Sequence, residues 1–180
     1  MSGMALPYAA YGQYRGLEGT PHDFRSLSPT STEAGTPRGA CAFCHLPTGE
    51  SKQEGQATAY QMYGLGSMGT QSGVGPSGVS LLCLSCHDGM SAGDVTKTQG
   101  PSLGTDLSND HPVSMEYDEY GASALHSVSD VLGAGLKLPE EGGELRVECT
   151  SCHDPHDNRW GSFLRLSNDG SRLCFTCHDK

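Results

Sequence analysis

Four copies of one five-residue pattern constrain this chain more than any other feature. They are CAFCH at 41–45, CLSCH at 83–87, CTSCH at 149–153 and CFTCH at 174–178, and together they use all 8 cysteines. The pattern C-x-x-C-H is the attachment signature of c-type haem. The sulfurs of Cys41 and Cys44, Cys83 and Cys86, Cys149 and Cys152, and Cys174 and Cys177 each pair as thioethers on the two vinyl groups of one porphyrin. The histidine that follows (His45, His87, His153 or His178) then sits under the iron as proximal ligand. Four disulfides would also use every cysteine, and Cys149, Cys152, Cys174 and Cys177 come near the spacing of a four-cysteine zinc site. Neither alternative explains a histidine after every pair. The sequence therefore calls for four covalently attached haem c groups.

Composition agrees with a cofactor-built interior. Only 35% of the 180 residues are hydrophobic and 25 are glycine, too little apolar side chain to offset the entropy of ordering the chain. Haem supplies flat apolar surfaces in place of side chains. The fold class expected is mostly irregular coil with short α-helices, a multihaem cytochrome c wrapped around a chain of four haems.

A formal net charge of −10 with only 11 Lys and Arg argues against nucleic acid as a partner. No apolar run approaches the roughly 20 residues of a membrane span. The start, MSGMALPYAA, lacks the charged beginning and long apolar stretch of a signal peptide. Covalent haem is attached outside the cytoplasm. The chain thus reads as a mature exported protein, extracellular or at the cell surface, with the periplasm as the alternative.

Removing the four motif histidines leaves His22, His111, His126 and His156. Four six-coordinate irons need four distal ligands, so the counts match. The six methionines are the competing sixth ligands, and Met ligation would raise the potential. His156 follows His153 by three residues, too close to reach the opposite face of the same ring. It must serve a different haem, and the short link holds two haems close together.

The chain is internally repeated. LCLSCHD at 82–88 and LCFTCHD at 173–179 each end a pair of motifs. His22 precedes the first pair, and His126 precedes the second at a similar distance. The halves differ at CHLPT against CHDPH, where Thr48 stands in the place of His156. His111, within NDHPVS, is the substitute that position suggests, and Pro112 biases it to extended backbone.

Four segments follow, folded as one compact unit. These are an N-terminal arm over 1–40, a first haem pair over 41–100, a connecting segment over 101–148 and a second haem pair over 149–180. A short helix carrying His126 is expected over 123–132, stopped by Gly133. Loops are expected over 26–39 and the glycine-rich 67–80. Tyr8, Tyr11 and Tyr14 share one helical face, which suits a small apolar patch on haem or on a neighbour.

The paired motifs, the PHDF stretch at 21–24, ACAFCHLP, NDHPVS and CTSCHDPH resemble multihaem c-type cytochromes with doubled C-x-x-C-H motifs. Among these the chain is most similar to the tetrahaem extracellular cytochrome nanowires. The resemblance implies distal-ligand roles for His22, His111, His126 and His156. It also implies a head-to-tail homopolymer that passes electrons to other cytochromes or extracellular acceptors. Thr48 departs from the family's usual histidine.

A chain that ends at Lys180 leaves haem four little cover, and His22 lies on an arm before haem one. An arm reaching the next subunit would make a heterologous contact that does not close, hence a filament. The alternatives are a ligand within its own chain, a soluble periplasmic shuttle, or a multihaem reductase with an open iron.

Overall fold

The computed structural model describes residues 17–23, 44–45, 76, 78–89, 102–121 and 124–179. Cys41, the tyrosine arm, the loop expected over 26–39 and most of that over 67–80 lie outside these residues. Regular elements are short. In chain order they are α1 (Gly78–His87), β1 (Met115–Glu116), α2 (Val128–Gly133), β2 (Glu140–Glu141), β3 (Glu144–Val147), α3 (Cys149–Cys152), a 3-10 turn (Asp169–Ser171) and α4 (Arg172–Cys177).

The longest helix, α1, carries the second motif in its last turns. Ser80, Leu84 and Asp88 are spaced four apart, and all three are buried. That spacing places them in one stripe along the helix, the stripe that faces the protein. Gly89 at φ +70° lets the chain turn out of the helix. The helix packs against α3, the turn that carries the third motif. The expected loop over 67–80 therefore ends early, because Gly78 already begins α1.

The third and fourth motifs share one local design. In each, C-x-x-C makes a single helical turn, which brings the first and fourth residues to the same side. The histidine then leaves the helix in extended backbone, at φ −108° for His153 and φ −105° for His178. Each histidine N–H still closes onto the carbonyl of the motif's first cysteine, at 3.0 Å. Each also forms an antiparallel bridge with a leucine, His153 with Leu164 and His178 with Leu125.

The connecting segment contributes a small antiparallel sheet that the sequence reading did not include. Its strand order is β1-β3-β2, with Met115 opposite Val147 and Glu140 opposite Leu145. The hairpin between β2 and β3 turns on Gly142 and Gly143, at φ +66° and +90°. Two successive positive φ values are what a two-residue hairpin turn needs, and glycine adopts them without steric cost.

Helix α2 is shorter than expected. Ser127 caps it, its hydroxyl accepting from the Asp130 N–H at 3.2 Å, so the helix begins at Val128 and His126 stands outside it. The His126 N–H instead donates to the Cys177 carbonyl at 2.9 Å. Cap geometry thus overrides the helical spacing of 123–132.

The side-chain core is small, as the composition requires. Tyr117, Val131, Leu136 and Leu138 form it, with Leu125, Val128, Leu145, Val147, Leu166, Leu173 and Cys177 packed around them. The core joins the connecting segment to the last two motifs. The Tyr117 hydroxyl donates to the His126 carbonyl at 2.8 Å, so the largest core residue also holds the backbone of a candidate ligand. No helix among the described residues is long and apolar enough to cross a membrane.

Candidate haem-binding site

An iron held between two histidines has about 2 Å to each nitrogen, and each ring centre lies about 1 Å further out. Ring centres across a shared iron therefore stand roughly 6 Å apart. Three pairs of histidines have this separation. His45 and His156 are 5.9 Å apart with near-parallel rings, at 20°. His22 and His87 are 6.0 Å apart, and His111 and His178 are 6.4 Å apart. Every pair joins one motif histidine to one histidine outside the motifs. His126 and His153 are the two histidines outside these pairs.

Hydrogen bonds prepare several of these rings for a metal. The His153 Nδ1–H donates to the Ser162 carbonyl at 2.8 Å, and the His111 Nδ1–H donates to the Pro112 carbonyl at 3.0 Å. A carbonyl only accepts, so the proton must be on Nδ1, and the Nε2 lone pair is left to bind iron. The Ser162 carbonyl is aimed by unusual backbone. Ser162 and Phe163 both have positive φ, +48° and +55°. Asn158 Oδ1 holds the Phe163 N–H at 2.9 Å. The Phe163 ring then rests on His22, with ring centres 4.5 Å apart.

His156 is oriented by Asp154, whose Oδ1 accepts from both the His156 N–H and Nδ1–H at 3.1 Å. Arg165 holds the other carboxylate oxygen at 3.0 Å and donates through Nε to the Thr150 carbonyl at 2.8 Å. Partial burial alone would raise the Asp154 pKa. The His156 N–H and the Arg165 guanidinium outweigh it and hold the carboxyl below its ordinary range. The turn at Pro155 and His156, tied by this carboxylate, carries the His156 ring away from His153 and toward His45.

His22 is held below the ordinary imidazole pKa, first by burial and then by the charges of His87, His153 and His156. It is therefore neutral, the form that binds metal.

The cysteines fit the same group. None of the seven described cysteines is in a disulfide. No group of three or more His, Cys, Asp or Glu among the described residues converges to hold a single ion. Cys149, Cys152, Cys174 and Cys177 are thus not arranged as a zinc site. Cys83 and Cys149 lie where α1 packs against α3, and their mutual influence raises the pKa of Cys83 and lowers that of Cys149.

His22, open in the sequence to a ligand role within its own chain or toward a neighbouring subunit, lies against His87 of its own chain. His111 was expected to complete the first half, but it lies against His178 of the last motif. The reason is the sheet. Strand β1 follows His111 closely and pairs with β3, directly before the third motif, which draws His111 into the C-terminal half.

Sequence reasoning missed Asp154, Arg165 and Ser162. A signal for the first was present. An aspartate follows the histidine in three of the four motifs, as Asp88, Asp154 and Asp179.

Residues 143–180 match the family described as doubled CXXCH motif. No curated protein matches the chain. The family match, with four C-x-x-C-H motifs in the sequence, supports a multihaem c-type cytochrome that binds haem c covalently, with electron transfer as its class of activity.

Proposed function

We propose that the chain holds four haems, each between two histidines, and carries electrons along them. The observation that supports this most is the set of three histidine pairs at 5.9, 6.0 and 6.4 Å, each matching a motif histidine to another. Each bound haem supplies a one-electron couple between ferrous and ferric iron. The cysteines fix where each ring lies. His45 with His156, His22 with His87 and His111 with His178 would each hold one iron, and His126 and His153 would by elimination hold the fourth. Paired imidazoles favour low potentials and leave no iron open for an oxyanion substrate, so the reading is electron transfer and not reduction at an open site.

The finer reading is a subunit of an extracellular filament passing electrons to external acceptors. It rests on the likeness of PHDF, NDHPVS and CTSCHDPH to the tetrahaem cytochrome nanowires. The second reading, a discrete periplasmic shuttle, is favoured by one observation. His22 stands against His87 of its own chain, so ligation closes without a neighbour. Under the filament reading, subunits then meet through surfaces and not through a shared ligand.

Two measurements on native material test this. The intact mass of the mature chain should equal the polypeptide plus four haems, and fewer haems would overturn the count. Electron microscopy should show regular thin filaments built from this chain. Dispersed monomers alone would select the shuttle.

One supporting contact gives a further expectation. With Asp154→Ala, all haems remain attached, because no thioether changes. His156 loses its orienting carboxylate, and loss of such a partner typically weakens a metal ligand by about 10–100-fold. Part of one iron in four should turn high-spin in the visible spectrum. An unchanged low-spin spectrum would show that Asp154 does not orient the ligand.

A further inference from the structure

Four of the five buried polar residues among those described gather around one carboxylate. Glu148 is 3% exposed, and Ser80, Ser114 and Ser151 are buried with it. The Ser80 hydroxyl donates to Glu148 Oε2 and accepts from the Cys149 N–H at 3.0 Å. The Ser114 hydroxyl donates to the same Oε2 at 3.1 Å. The Ser151 hydroxyl accepts from the Glu148 N–H at 2.9 Å.

These four residues come from three places. Ser80 lies in α1, one helical turn before Cys83. Ser114 lies before β1. Glu148 and Ser151 flank and form α3. Ser114 is held at φ +58°, a conformation that costs a non-glycine residue energy. Its N–H donates to the Val147 carbonyl at 2.6 Å, and its own carbonyl accepts from Arg146 Nη1 at 3.0 Å. The surrounding bonds thus keep a strained serine aimed at Glu148. A buried, multiply bonded carboxylate is costly to assemble and rigid once made.

Beside this cluster lie Cys83, one helical turn after Ser80 in α1, and Cys149, whose N–H donates to the Ser80 hydroxyl at 3.0 Å where α1 packs against α3. Each is the first cysteine of its motif, one in the second and one in the third.

We propose that electrons cross between the two halves where the packing of α1 on α3 would bring haem two and haem three together, and that Glu148 is the positioning residue that fixes the gap. The inference rests on the four-haem reading. In the step, one electron leaves the ferrous iron of one haem and reaches the ferric iron of the other. No proton, atom or bond is exchanged.

The test uses the holoprotein. Intact mass and the low-spin spectrum are recorded first. A wild type with fewer than four haems would defeat the underlying reading and not the role of Glu148. Two readouts follow: the Soret circular dichroism couplet, which reports the spacing of neighbouring haems, and the rate at which electrons redistribute between halves after partial flash reduction. Glu148→Ala should weaken the couplet and slow redistribution. Glu148→Gln keeps the side chain's shape and an acceptor oxygen for the serine hydroxyls, and should restore both. Ser80→Ala removes one arm of the cluster and should fall between them, which keeps the test decisive if Glu148→Ala does not fold. A couplet and redistribution rate unchanged in Ser80→Ala and in a folded Glu148→Ala would overturn the proposal. So would a Glu148→Gln protein that behaves like Glu148→Ala.

Discussion

Replacing His156 with alanine should convert one iron in four to a high-spin, five-coordinate state, and that iron should belong to haem one. The ring of His156 faces His45, not the adjacent His153. The identity of the affected haem can be read by removing haems one at a time. With Cys41→Ala and Cys44→Ala, haem one is absent, and His156→Ala should add no high-spin signal. With Cys83→Ala and Cys86→Ala, the signal should persist. His111→Ala should behave in the same way toward haem four, becoming silent when Cys174 and Cys177 are replaced. The opposite pattern, with His156 silent only when haem three or four is missing, would sink the assignment.

His156 comes from the second half and faces the first motif, while His111 follows the first half and faces the last motif. With these histidines as the distal ligands proposed, the halves would depend on each other and could not separate into two independent dihaem units. Loss of either ligand should therefore be felt across the whole molecule.

Leu136→Ala should destabilise the protein by about 2–5 kcal/mol, the usual cost of truncating a buried leucine. Leu136 is 2% exposed, in a cluster of four buried residues among those described. The loss should be local. Leu173 and Cys177 of the last motif pack on this core. Haems three and four should then become more accessible to external reductants well before haems one and two, which gel-resolved proteolysis and reduction kinetics would show. Uniform loosening of all four, or a cost within error of zero, would contradict the placement of the core.

Covalent haem c chemistry was legible in the sequence because thioether bonding fixes spacing locally: two cysteines one helical turn apart, then a histidine. Which ligand serves which haem was not legible. That depends on pairings between distant segments, above all β1 with β3, which carries His111 to the last motif. The strands themselves gave weak signals. Glu140, Glu141 and Glu144 are poor strand formers, and only the Gly142-Gly143 turn marked the hairpin. The helix expected over 123–132 is shorter than its spacing suggests because the Ser127 hydroxyl caps it and starts it at Val128. The polar cluster around Glu148 was invisible for a different reason. Nothing local marks three serines and a glutamate as neighbours until α1 packs against α3.

The most direct test of the account is the electron paramagnetic resonance spectrum of the dilute, oxidised monomer. If every iron is held by two histidines of its own chain, the spectrum should contain only low-spin bis-histidine signals, integrating to four irons per chain. A high-spin signal from one iron in four that disappears when the chains associate would contradict it. It would return His22 to a neighbouring subunit.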